Sequence, residues 1–255
     1  MDINHSYGFA DALLDFLLPR RCVVCDEVLE AEEEFLCEKC WSDLPHTYYW
    51  ILRNNPMADR LNVFIQDWLE AEWSASTGTE RYAYAAALFF YRAESDYSKI
   101  TRCIKYQGRL EVGRHFGRLL GDKLAESRLF ADVDAVIPVP LHWLRRWKRG
   151  YNQAEVIASG VARRLGVPMK NDILRRCRRT RTQTRLNIAE KRKNVTGAFD
   201  ASDKARSNEE LKHLLIVDDV FTTGSTLMAC FVALRTVFPS SVRISVATLG
   251  FVGGG

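Results

Sequence analysis

No stretch of the 255-residue chain approaches the roughly 18 consecutive apolar residues that a membrane-crossing helix needs, which excludes a helical integral membrane protein. A secretory signal is not expected either, since Asp2, Asp11 and Asp15 stand in and around the short apolar run of "FADALLDFLLP", where a signal would be basic. The apolar residues there (Phe9, Leu13, Leu14, Phe16 and Leu17) suit a helix face packed on the rest of the protein. A helix lying on a membrane surface is the alternative. Three phosphate and metal motifs are also lacking. "GRLEVGRH" imitates a Walker loop, but Arg114 and His115 occupy the places of the required Lys and Ser/Thr. Neither a dinucleotide fingerprint nor a metalloprotease helix is found. These absences lead to the expectation of a cytoplasmic protein.

What is present is ordinary in bulk and uneven in detail. Apolar residues make up 47% and charged residues 27%, as in a globular protein with room for one α/β domain and an appendage, or for two small domains. Between Lys170 and Lys193 ten Lys and Arg face only Asp172 and Glu190, so this segment carries +8 and the rest of the chain −4 of the net +4. A second basic knot, "RRWKRG", holds Arg145, Arg146, Lys148 and Arg149. Two basic clusters on a mildly acidic body point to an anionic partner, either a phosphorylated small molecule or nucleic acid; solvated loops are the plainer alternative.

Four of the seven cysteines fall in "CVVCDEVLEAEEEFLCEKC", as Cys22-x2-Cys25 and Cys37-x2-Cys40. Two such turns can bring four thiolates into the tetrahedral array that suits zinc. Disulfides and an iron–sulfur cluster are the alternatives, the first disfavoured in a reducing compartment. With sulfur at all four positions no site stays open, so the expected metal folds the module and catalyses nothing. Cys103, Cys177 and Cys230 read as packed thiols.

From about Tyr82 strands and helices alternate. "YAAALFFY", "VDAVIPVP", "HLLIVDD" and "SVRISVATLG" read as strands, and "SDYSKITRCIKYQG", "EVGRHFGRLLGDKLAES", "NQAEVIASGVARRLG" and "GSTLMACFVALRTVF" as helices. Gly113, Gly117 and Gly121, four apart, predict close packing of the second helix on a sheet. The alternation predicts an α/β fold, a parallel sheet with helices on both faces. Before it come a helix and four-cysteine module over residues 1–45 and a helical connector over 46–80; the domain itself covers 81–255.

Ligands of such sheets sit beyond the carboxyl ends of the strands, where "LLIVDDVFTTGST" lies. Two adjacent carboxylates, Asp218 and Asp219, repel each other unless something neutral or cationic meets them, and a sugar diol does. The loop that follows leads into a helix. Its backbone N–H groups, the hydroxyls of Thr222, Thr223, Ser225 and Thr226, and the close approach allowed by Gly224 would cradle a phosphate. Together they describe a ribose 5-phosphate site; two solvated acids and an ordinary helix cap are the alternative.

This stretch resembles the phosphoribosyl pyrophosphate signature of type I phosphoribosyltransferases, with an apolar quartet, two acids, two variable residues and Ser/Thr-Ser/Thr-Gly-x-Ser/Thr. The whole chain is more closely similar to the competence protein ComF family, with a four-cysteine zinc module first and then "KYQG", "PVPLHWLRRWKRGYNQA" and "RRCRRTRTQTRLNIAEKRKNVTGAF" in corresponding places. Residues 46–80 carry the likeness most weakly.

The resemblance implies that Asp218 and Asp219 face the ribose hydroxyls and Thr222, Thr223, Gly224, Ser225 and Thr226 the 5′-phosphate. "PVPLHW" stands in the place of the pyrophosphate loop, with Arg145 or Arg149 supplying charge and Lys105 assisting. Magnesium would be held mainly by pyrophosphate oxygens and water. The activity implied is transfer of ribose 5-phosphate to a nitrogen acceptor. No N-terminal cysteine nucleophile or glutaminase domain accompanies it, so an amidophosphoribosyltransferase is not expected. The same resemblance implies single-stranded DNA binding during natural transformation, gated by the nucleotide precursor. Trp143, Trp147 and Tyr151 interleave with the basic knot as stacking surfaces, and Arg178, Arg179 and Arg181 belong either to a DNA contact or to a closing loop.

Overall fold

Short, unbroken apolar runs become strands buried on both faces, as crossover connections demand of a parallel sheet. The computed structural model describes residues 19–72, 80–177, 197–207 and 210–253. The N-terminal segment with Phe9 to Leu17 and the basic loop with Arg178, Arg179 and Arg181 lie outside the described residues. In chain order, β1 (Ala85–Phe90), β2 (Ala135–Pro138), β5 (His213–Phe221) and β6 (Arg243–Phe251) form one sheet of order β1-β6-β5-β2. All three pairings are parallel. Beyond β2, Met169 bridges Val136 in the same sense, with Lys170 N–H donating to the Val136 carbonyl at 2.8 Å. A separate antiparallel hairpin joins β3 (Leu174–Arg176) to β4 (Phe199–Ala201).

Helices cover both faces. The short α1 (Glu38–Ser42) lies in the cysteine module. On one face pack α3 (Ser98–Tyr106), α4 (Leu110–Ala125) and α6 (Gln153–Leu165), burying Ile100, Phe116, Leu120 and Ile157 against Leu215, Val217 and Leu249. On the other lie α2 (Pro56–Glu72) and α7 (Ser225–Arg235), with Leu61, Ile65, Leu227 and Phe231 against Ile216 and Val246. The guanidinium of Arg235 ends α7 in a buried ion pair with Glu80, 2.5 Å apart.

The glycine stripe of α4 is corrected in its partner. It faces α6 rather than the sheet: a Cβ on Gly117 would stand 2.4 Å from the Ile157 carbonyl, and one on Gly160 would stand 2.7 Å from Arg118 N. The two backbones touch, which only glycine permits.

The cysteine module adds to this body. Pro45 accepts from Phe90 N–H at 2.8 Å and His46 bridges Phe89 at the edge of β1. Its buried Cys22, Leu36, Cys37 and Cys40 share a core with α3 and α4.

Strand order fixes where a ligand could sit. The loop after β2 leads through α5 (Trp143–Arg149) to α6 on one face, whereas the loop after neighbouring β5 leads to α7 on the other. Two adjacent strands whose connections part in this way open a crevice at their carboxyl ends.

Candidate functional site

Both acids of the signature lie towards the carboxyl end of β5, at that crevice. Side chains alternate along a strand. Ile216 packs beneath α2 and α7 and Val217 beneath α3, α4 and α6, so Asp218 continues the first side and Asp219 the second. Their neighbours agree. Lys105, in the last turn of α3, forms an ion pair with Asp219. The charge of Asp218 also acts on Cys230 of α7 and on Arg176 of the hairpin.

The electrostatics follow from this placement. Burial, reinforced by the neighbouring Asp219, pushes the Asp218 carboxyl up to about 8. Burial works against the Lys105 ammonium, but Asp219 and then Asp218 outweigh it and hold its pKa above the ordinary value. Asp218 accepts from the N–H of Asp219 at 2.9 Å, and Asp219 from that of Val220 at 2.8 Å.

The loop after β5 turns sharply at Gly224, where φ is +81° and an added Cβ would stand 2.6 Å from the Phe221 ring. Glycine is required there, and it caps α7. Thr223 and Ser225 join their hydroxyls at 2.9 Å, with Thr222 and Thr223 exposed. Ser225 and Thr226 open α7, whose first-turn N–H groups look back along the helix axis towards the loop. Arg60 of α2 donates to the Thr222 carbonyl at 3.0 Å, a contact across 162 residues that no local motif announces.

The loop after β2 is equally fixed. Asn152 donates to the Val139 carbonyl at 3.0 Å while capping α6 through Ala154 N–H. Tyr151, two residues after α5, donates to the Ile104 carbonyl of α3, next to the "KYQG" segment. Arg149 lies 5.3 Å over the Tyr106 ring and donates to Gln153 at 3.2 Å. Arg145 instead lies close enough to Arg176 for the two charges to act on each other. Burial first, then Arg145, lowers the pKa of Arg176, whose guanidinium stands 5.0 Å over the Phe199 ring. Within the basic segment nothing local singles out Arg176, because its hairpin partner Phe199 comes 23 residues later.

The four module cysteines form one cluster, their sulfurs all within 4.8 Å of one another. The Cys25 and Cys37 sulfurs stand 3.6 Å apart, too far for a disulfide bond of about 2.05 Å. The spacing fits zinc, whose tetrahedral thiolates at about 2.3 Å stand about 3.8 Å from each other. Burial and the other thiols push Cys40 well up; at Cys22 burial opposes, but backbone N–H groups draw the thiol down to about 7. Such a crowded set ionises together only around a cation.

Comparison with known proteins agrees with both parts. Residues 13–49 match the double zinc ribbon domain and residues 152–250 the phosphoribosyl transferase domain. Fold and site therefore define an α/β protein of phosphoribosyltransferase fold, carrying a four-cysteine zinc module. More particularly, the chain is homologous to Competence protein F of Haemophilus influenzae, with 32% identity over 143 residues, covering 55% of this chain and 62% of that one. DNA utilization protein YhgH of Salmonella typhimurium is 31% identical over 140 residues (52% and 60%), and that of Escherichia coli K12 30% over 133 (51% and 57%). The match thus spans about three-fifths of each relative's length. Among solved structures, a glutamine phosphoribosylpyrophosphate amidotransferase from B. subtilis overlays with a TM-score of 0.34 at 23% identity, covering 52% of this chain and 25% of that one. No helix among the described residues is long and apolar enough to cross a membrane.

Proposed function

We propose that the crevice between β2 and β5 binds phosphoribosyl pyrophosphate with magnesium and transfers its ribose 5-phosphate to a nitrogen acceptor, releasing pyrophosphate. One observation carries this reading: the acid pair ends β5 and runs directly into a glycine-turned hydroxyl loop at the start of α7, where the connections of neighbouring strands part. Thr222 to Thr226 would hold the 5′-phosphate on hydroxyls and first-turn N–H groups. Asp218 and Asp219, approaching from opposite sides of the strand, would each accept one ribose hydroxyl. Arg145, with Arg176 beside it, would meet the pyrophosphate, whose departure needs positive charge already in place. Lys105 acts on the ribose side, through Asp219, and Arg149 supports α5 against α3. Magnesium, carried on the pyrophosphate oxygens, would neutralise leaving-group charge. The protein's remaining task is positional, to hold the anomeric carbon in line with the acceptor. A screen of nitrogen nucleophiles for pyrophosphate release tests turnover, and no release with any acceptor would reduce the site to one of binding.

A second reading is favoured by α5. Trp143 and Trp147 are 66% and 85% exposed on a helix rich in arginine, an arrangement suited to stacking bases of single-stranded DNA. The names of the relatives, competence and DNA utilization, support such a role. Single-stranded oligonucleotide should quench the fluorescence of these tryptophans, and salt should weaken its binding. Binding that survives replacement of both tryptophans by alanine would remove α5 from the interface.

A further inference from the structure

Two hydrogen bonds join the cysteine module to α3, and α3 ends at the crevice. Tyr97, just before the helix, donates its hydroxyl to the Cys40 carbonyl at 3.1 Å. Lys99, in the first turn, donates Nζ to the Val24 carbonyl at 2.7 Å and is steadied by Asp96, also at 2.7 Å. Six residues further along, Lys105 meets Asp219. That interval is about 9 Å of helix. Within it Ile100, Cys103 and Ile104 are no more than 3% exposed, in the same packed core as Cys22, Cys37 and Cys40. A close-packed segment this short shifts as a body rather than bending.

The two acceptors come from different knuckles. Val24 lies between Cys22 and Cys25, and Cys40 ends the second pair. A single metal ion bound by all four sulfurs would hold the two carbonyls at a fixed spacing. We propose that α3 is a strut, with Tyr97 and Lys99 as positioning residues through which the loaded zinc module sets Lys105 against Asp219. Ligand affinity at the β5 acids then depends on a metal that touches no ligand. This rests on the reading of the crevice as a ligand site, and on the fit of the four sulfurs to zinc.

The test uses the full chain, with zinc content measured in every variant. Lys99→Ala should leave zinc stoichiometry unchanged and weaken binding of phosphoribosyl pyrophosphate and magnesium about fivefold, the worth of one ordinary hydrogen bond. Lys99→Arg, which keeps a donor, should recover most of the loss. In a Lys105→Ala background, Lys99→Ala should have no further effect, because residues acting through one another are not additive. A second measurement needs no ligand. The carboxyl carbon resonance of Asp219, assigned with Asp219→Asn, should move in Lys99→Ala towards its position in Lys105→Ala, and chelation should move it likewise. Should the wild type bind no ligand while this resonance moves, the strut stands and the ligand reading falls. Additive losses, or an unmoved resonance in zinc-loaded Lys99→Ala, would overturn the strut.

Discussion

Asp218 is the residue whose chemistry most constrains the site. Its carboxyl titrates near 8 in the folded chain against an ordinary value of 3.8, because burial and Asp219 disfavour its charge. The unfolded chain therefore gives up this proton first. The residue's contribution to stability declines as pH rises from about 4 to about 8 and levels off above. Asp218→Asn should stabilise the fold at pH 7 by at least about 1 kcal/mol and so raise the melting temperature, which calorimetry checks. If the ionised form accepts the ribose hydroxyl, affinity should also climb between pH 6 and 8, with a proton released on binding. The same isotherm in buffers of different ionisation enthalpy measures that proton. Gly224 makes the complementary case for geometry. Gly224→Ala forces a Cβ to within 2.6 Å of the Phe221 ring at φ +81°, so a loss of about 1–3 kcal/mol in chemical denaturation is expected, together with weaker phosphate binding.

At the scale of elements, the cysteine module is tied to the sheet edge through His46 and Phe89, and to α4 through Glu34, which accepts from His115 at 2.6 Å. Chelation should strip about one zinc per chain and expose residues 19–45 to protease while the sheet stays folded, which limited proteolysis with mass spectrometry will read. Full resistance after metal removal would assign the cysteines a role other than holding a metal. Elements set by local pattern were legible in the sequence: the buried strands, α4, α6, α7 and the paired knuckles. The acid pair and the glycine turn were legible for the same reason, since their chemistry lies within nine consecutive residues. Contacts between distant segments were not. The glycine stripe showed that something approaches α4 closely, but not that α6 does. Nothing in "KYQG" announces the ion pair of Lys105, whose partner Asp219 is 114 residues away. The hairpin that carries Arg176 was not legible because three-residue strands leave too short an alternation to read.

Across the whole molecule, the sheet gathers into one crevice groups that the chain scatters from Lys105 to Thr226. The central claim is that this crevice is a phosphoribosyl pyrophosphate site built on the β5 acids. Titration calorimetry with phosphoribosyl pyrophosphate and magnesium, on the wild type and on the Asp218→Ala/Asp219→Ala double variant, tests it most directly. A hydrogen bond to a charged acceptor is worth about 1.5–3 kcal/mol, so losing Asp219 alone already costs about tenfold, and losing Asp218 adds to it. The account predicts saturable binding by the wild type and at least about tenfold weaker binding by the variant, with the fold retained by circular dichroism. Equal affinity in the two proteins, or no heat from the wild type, would contradict it.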